Sequence, residues 1–293
     1  MLFDEAQYNF KVKKVPIHLG SGIIIPKEQG MHIVDDNGVP LAATTSTYNL
    51  VPVQEIINPI SNKIEEMFGK DIETTTKVVN KTYFQFEAKF TKHTYEIDGL
   101  GEVTPQFRFK TSYNRSYRNN GMVGDFRSFC YNTLISGDKY AHVYNKHTKN
   151  FSVTAFTQKV SRALELMSGN KDKYKHWYNT SISRDDAVDL FRNTICSYQT
   201  KATKETKTND KMLGVLMENF DHESNHLHGN GAYSKGWANK GSLWTAYNAA
   251  TYWSTHLADT ARKSKNPFTN VERREQQVIK LLNSLEWKSL EKV

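Results

Sequence analysis

From Val103 to Leu134 the chain reads VTPQFRFKTSYNRSYRNNGMVGDFRSFCYNTL, two runs of alternating apolar and cationic or polar residues about an arginine-bearing turn. A strand turns successive side chains to opposite faces, so Phe107 and Phe109 fall on one face and Arg108 and Lys110 on the other. Phe126 and Arg127 likewise point opposite ways. Such a ribbon can bury its aromatic face and offer the other to phosphates. The turn adds Arg115 and Arg118 with Tyr113 and Tyr117, supplying cations for a nucleic-acid backbone and flat rings for stacking on unpaired bases. The candidate nucleic-acid-binding residues are therefore Arg108, Lys110, Tyr113, Arg115, Tyr117, Arg118 and Arg127, while Phe107, Phe109 and Phe126 are expected in the core.

The flanking segments make this an α+β chain: an amphipathic helix packed on an antiparallel sheet, followed by a mainly helical C-terminal portion. Asn58-Pro59 offers an N-cap and a first-turn proline, Ile60, Ile64, Met67 and Phe68 share a helical face, and Gly69 ends it. In TYFQFEAKF, Phe84, Phe86, Ala88 and Phe90 oppose Tyr83, Gln85, Glu87 and Lys89, a period of two. With residues 93–97 and the ribbon this predicts a meander of about four strands. Helical spacing returns in residues 156–167 and 185–195, the latter preceded by a capping box, Ser183 to Asp186. The stretch 243–257 is an aromatic helix, and Thr269 to Glu272 offers a further capping box before Val278, Leu281, Leu282 and Leu285. The run 200–211, KATKETKTNDK with its preceding threonine, reads as an exposed linker. The expected organisation is an N-terminal arm or short strands over 1–44, a helix-plus-sheet core with following helices over 45–199, that linker, and a helical portion over 212–293.

Composition supports a polyanionic partner. With 38% apolar and 12% aromatic residues among 293, a packed core is available, and 39 Lys and Arg against 31 Asp and Glu leave a net charge of +8. The two cysteines, Cys130 and Cys196, form no CxxC pair, which points away from a disulfide framework and towards a reducing cytoplasm. No apolar N-terminal leader or membrane-length segment is legible. The phosphate-binding loop G-x-x-x-x-G-K-[ST] is missing, so ATP is not implied. No cofactor is expected.

One motif argues for a different chemistry. His222-Glu223-Ser224-Asn225-His226 is a complete H-E-x-x-H, which on a helix places two imidazoles one turn apart for Zn²⁺, with Glu223 as the base of a metalloprotease. Gly229 continues the longer metzincin pattern, but Ala232 stands where its third histidine belongs. The paired acids Asp185 and Asp186 are better read as first-turn residues of a helix than as metal ligands. The aromatic helix with Trp244, Tyr247, Tyr252 and Trp253 fits a packing element or an oligomer contact. A virion or scaffold protein without nucleic-acid binding is the third class.

Several separated pieces resemble one family. They are STYNLVPVQEI; the ribbon with its Phe126, Arg127, Cys130 and Asn132 element; VYNKHT, where Lys146 replaces an arginine before His147 and Thr148; and LWTAYNAATYWSTH through Trp244, Asn248, Ala249, Thr251 and His256. Together they resemble the phage/plasmid-like proteins containing domain of unknown function 932, over roughly residues 45–262. The ribbon's polar turn departs from the family's His-Asp-Gly order. The resemblance implies a phage or other mobile-element origin and carries no established chemistry. The order helix, antiparallel meander, helix is similar to the core of single-strand annealing proteins, where a basic groove runs around an oligomer. The resulting expectation is a non-catalytic single-stranded DNA-binding protein of recombination or replication, acting in the host cytoplasm, with a homo-oligomer implied by that analogy and no membrane partner.

Overall fold

A computed structural model describes the chain except residues 1, 19–21, 28–29, 98–100, 128–131, 136–141, 201–202, 229–239, 257–266 and 293; for some residues inside helices and strands it describes the backbone alone. The chain forms two compact units, each assembled from three stretches: 1–93, 105–123 and 139–167 in the first, and 94–104, 124–138 and 168–293 in the second. The division therefore does not follow the linear order expected from the sequence.

In the first unit, β1 (Val12–Pro16), β2 (Met31–Asp35) and β3 (Pro40–Thr44) form an antiparallel three-stranded sheet. Of the two forms expected for residues 1–44, the short strands are the one observed. Ahead of them Phe3 and Tyr8 set their rings edge-on against Phe86, at 5.2 and 5.0 Å between centroids, so this segment is part of the core.

The first helix, α1 (Val53–Phe68), starts well before the predicted Asn58 and carries Pro59 in its interior. An interior proline removes one backbone hydrogen bond. The apolar stripe outweighs that loss, because Val53, Ile56, Ile57, Ile60 and Ile64 are all buried along one face. Gly69 ends the helix as predicted, at φ +80° with its N–H bonded to the Glu65 carbonyl.

Seven strands follow: β4 (Glu73–Val79), β5 (Tyr83–Lys89), β6 (Tyr95–Ile97), β7 (Gly101–Ser112), β8 (Asn119–Arg127), β9 (Asn132–Ile135) and β10 (His142–Asn145), and then α2 (Val153–Leu166). The first unit takes β4, β5, β10 and the 105–112 and 119–123 parts of β7 and β8, in the order β10-β8-β7-β5-β4. The alternation read from the sequence sets the register: Phe86 stands opposite Phe109 and Ala88 opposite Phe107. Their rings meet Phe156 and Val160 of α2 and the isoleucines of α1 in one core. Gly121 of β8 lies directly under α2, where a Cβ would come within 3.2 Å of Phe156 and 3.1 Å of Val160.

In the second unit β6 pairs with the 101–104 part of β7, and β9 with the 124–127 part of β8. The rest is mainly helical: α3 (Asn170–Asn179), β11 (Ser181–Ser183), α4 (Arg184–Asn193), β12 (Ser197–Gln199), β13 (Thr206–Thr208), α5 (Asp210–His228), β14 (Lys240–Ser242), α6 (Leu243–Thr255), α7 (Pro267–Leu282) and α8 (Leu285–Leu290). The capping box at Ser183 and Asp186 forms as predicted, with both reciprocal bonds at 3.0 Å. The predicted linker is mostly exposed where described, but it carries β13, the second strand of an antiparallel hairpin with β12, and runs straight into α5. Tyr198 in β12 and Thr206 and Thr208 in β13 are residues that favour strand pairing over a featureless loop. Helix α7 begins at Pro267, ahead of the predicted cap at Thr269, and Leu285 lies beyond its end, 83% exposed at the start of α8.

Helix α6 is buried on nearly all sides. Trp244 and Tyr247 enter an aromatic cluster with Tyr174 and Trp177 of α3, and Trp287 of α8 closes edge-on against Trp177. Gly241 in β14 is required for this packing: a Cβ there would sit 2.5 Å from Phe220, 2.6 Å from Thr245 Oγ1 and 2.8 Å from Ser224 Oγ. Beside the cluster Asp125 is fully buried, accepting from Asn170 Nδ2 at 2.7 Å, Tyr174 Oη at 2.8 Å and Tyr95 Oη at 3.3 Å. Burial pushes its carboxyl up to about 6, against the opposing pull of those donors and of Lys173.

Two outcomes follow from this unit. Gly241→Ala is expected to lower stability by about 1–3 kcal/mol through overpacking, read from the denaturant midpoint at unchanged slope. For Asp125, the folded pKa lies above the unfolded one, so the folded state holds the proton more tightly. The stability this contributes is complete below about pH 4 and lost as pH rises through about 6, a change on the order of 3 kcal/mol. In Asp125→Asn that component vanishes, so the melting temperature of the variant relative to the parent should climb between pH 5 and pH 7.5. A pH-independent difference between the two would contradict it.

Candidate functional site

The ribbon's turn is held by its own polar groups and by neighbours in the first unit. Ser112 Oγ accepts from the Tyr117 N–H at 2.8 Å and donates to the Tyr117 carbonyl at 3.2 Å, closing the loop. Inside it Asn114 Oδ1 accepts from the Ser116 N–H at 3.1 Å, an Asx turn. Arg115 sits at the apex with φ +64°, a left-handed conformation uncommon outside glycine.

The two turn tyrosines do not face outwards. Tyr113 is buried in the core, its ring edge-on to Phe84 at 5.1 Å, and its hydroxyl accepts from the Val53 N–H at 2.9 Å. It thereby caps α1, whose own N-cap residue, Pro52, offers no side-chain hydrogen bond. Tyr117 is buried against Tyr83, 4.9 Å between centroids. Neither ring offers a face to a base, which corrects the stacking role expected of both.

The predicted cations separate. On the sheet face opposite the aromatic core, Lys110 is only 5% exposed and stands opposite Gln85, while Arg108 is half-buried, opposite Glu87, with Nη2 at 3.4 Å from Met122 Sδ. That face is thus a shielded polar layer and not an open basic one. Arg127 belongs to the part of β8 in the second unit, opposite Asn132, and its side chain lies outside the described residues. Arg115 and Arg118 are exposed at the turn.

Around Arg115 the structure assembles residues that the ribbon alone did not reveal. Tyr48, from the segment entering α1, is buried, and its hydroxyl donates to the Ser112 carbonyl at 3.2 Å. Lys14 Nζ holds the same segment by the carbonyls of Ser46 and Tyr48, at 3.0 and 2.9 Å. The His147 ring stacks on Tyr48 at 5.0 Å and 25°, and its Nε2 donates to the Tyr117 carbonyl at 3.1 Å. Burial pushes the His147 imidazole below its ordinary range, so it is neutral at pH 7 with Nδ1 as an acceptor. Burial also raises the hydroxyls of Tyr48 and Tyr113, keeping both protonated.

These groups floor an open pocket of about 360 Å³ whose rim is Thr45, Thr47, Arg115, Thr148, Lys149 and Asn150. Its lining carries two cations, hydroxyls and an amide, and no carboxylate. That is the composition of an anion site, suited to phosphate oxygens. Tyr48, His147 and Thr148 belong to two of the segments that carry the family resemblance, STYNLVP and NKHT, and Arg115 to a third. That shared membership was the available signal, but nothing in the linear sequence joins positions about a hundred residues apart.

The H-E-x-x-H residues lie on α5 in the second unit. The buried stripe of that helix runs through Leu216, Met217, Phe220 and Ser224; His222 is exposed and Glu223 half-buried. The His226 side chain lies outside the described residues. Among the described residues no group of three or more His, Cys, Asp or Glu is arranged to hold a metal ion. Cys196 is buried as a free thiol, and Cys130 lies outside the described residues. No described helix is long and apolar enough to cross a membrane.

No curated protein and no solved structure matches the chain. The family described as Domain of unknown function (DUF932) matches residues 40–284, which include every segment of the pocket, and the chain belongs to that family.

Proposed function

We propose that this protein binds single-stranded nucleic acid, DNA before RNA, by its phosphate backbone, as a non-catalytic component of recombination or replication in a phage or other mobile element. The observation that carries the reading is the first unit's pocket, where Arg115 and Lys149 meet hydroxyls and an amide with no carboxylate among them. A net charge of +8 draws polyanions towards such a site. Buried tyrosines leave phosphate contacts as the main source of affinity, so recognition is indifferent to base identity. The same reading places the protein in the host cytoplasm and allows several copies to line one strand as an oligomer.

Fluorescence anisotropy with a labelled oligonucleotide across 50–200 mM salt tests it. Each phosphate contact to a single strand contributes about 0.7 to the slope of log affinity against log salt. Arg115→Ala with Lys149→Ala should therefore flatten the slope by about 1.4 and weaken binding at low salt. An unchanged slope in the folded double variant would remove the pocket from the interface. Tyr113→Phe serves as the contrast: it should keep the slope but lose about 1–3 kcal/mol of stability, because the Val53 N–H is left buried without its acceptor.

A further inference from the structure

A second cavity, of about 180 Å³, lies between α5 and α6 within the second unit. Helix α5 contributes Glu218, Asn219, His222 and Glu223, and α6 contributes Asn248, Ala249 and Tyr252. Both asparagines direct their amide N–H groups back along their own helices: Asn219 Nδ2 donates to the Val215 carbonyl at 2.9 Å and Asn248 Nδ2 to the Trp244 carbonyl at 3.1 Å. Those bonds fix each amide's orientation and leave its carbonyl oxygen and one N–H as the remaining polar groups. Asn248 is 1% exposed, and its Oδ1 has no hydrogen-bond partner. A buried acceptor left in that condition is unfavourable and calls for a donor.

The carboxylates of the lining set the sign of that donor, with the His222 imidazole beside them on α5. Glu218 and Glu223 give the cavity two carboxylates within a chain of net positive charge. Tyr252, 37% exposed, adds an aromatic ring able to hold a cation over its face, and Ala249 adds an apolar wall. A metal ion fits less well, since no described group of three or more His, Cys, Asp or Glu is arranged for one. The cavity also exceeds the roughly 30 Å³ share of one water several times over, leaving room for a short carbon stem. An alkylammonium group brings three donors, one positive charge and such a stem.

We propose that the α5–α6 cavity binds an alkylammonium group, the charged end of a free polyamine or of a lysine side chain. Asn248 Oδ1 and the Glu218 carboxylate receive its N–H donors, and Tyr252 covers its stem. This proposal stands apart from the nucleic-acid reading and uses none of its residues.

Isothermal titration of the full chain with spermidine, putrescine, Nα-acetyl-lysine methylamide and magnesium chloride tests it. A saturable single site is expected for the amines, with spermidine tighter if the natural ligand is a polyamine and the lysine derivative tighter if it is a side chain. Glu218→Gln, a change at an exposed position that leaves the helix intact, should weaken amine binding tenfold or more, and Tyr252→Ala several-fold. Circular dichroism and the melting temperature establish that each variant is folded. No saturable amine binding, amine affinity unchanged in Glu218→Gln, or magnesium binding with the same dependence on Glu218 would each overturn the proposal.

Discussion

Strand β7 is closed to solvent on both faces where it crosses the first unit, and the rest of that unit's organisation depends on this closure. Phe107 and Phe109 lie under α1 and α2, while Gln106 and Lys110 on the other face are also buried. A strand buried on one side only would have left its cations free along its whole length. Here they become part of a polar layer in which Arg108 faces Glu87 and Lys110 faces Gln85 across the β5–β7 register. Opposite charges placed directly across a strand pair support the sheet. Among the described cations of the ribbon, the exposed ones are thereby Arg115 and Arg118 at the turn.

The turn is correspondingly over-determined. Tyr113 caps α1, Tyr48 and Ser112 hold the end of β7, and His147 ties the Tyr117 carbonyl to the segment after β10. These four polar side chains are engaged in fixing backbone, so the Arg115 position is pre-organised in spite of its left-handed φ. Hydroxyls and aromatic rings that a strand-level reading assigns to ligand contact are used to build the pocket that presents the cations. Under the proposed function, affinity rests on long-range attraction screened by salt and much less on directional contacts with bases.

The second unit shows how helical context decides the meaning of a short motif. Along α5 the stripe Leu216, Phe220 and Ser224 faces the interior, because Phe220 and Ser224 pack against the backbone at Gly241. His222 lies about 200° around the helix from Phe220, so that imidazole cannot share the buried side. A zincin helix needs its histidines inward, behind protein that excludes bulk water. What the motif contributes here is one wall of an acceptor-rich cavity, completed by an asparagine from α6.

The sequence alone determined the periodic elements: the phenylalanine alternation of β5 and β7, the Ser183–Asp186 cap, Gly69 at the end of α1 and the aromatic helix α6. Each is a local property, set by the period of the backbone or by hydrogen bonds spanning three or four residues. It also held the pieces of the pocket as separate family-like segments, though not their convergence. Tertiary structure decided the rest. Whether Lys110 is open to a ligand depends on what covers the second face of β7, Tyr113 is closed off by the core it enters, and the start of α1 depends on a hydroxyl supplied 60 residues later. The meeting of Tyr48, Arg115 and His147 depends on three strand connections at once. Burial and long-range convergence belong to the whole packed unit, and no window of sequence contains them.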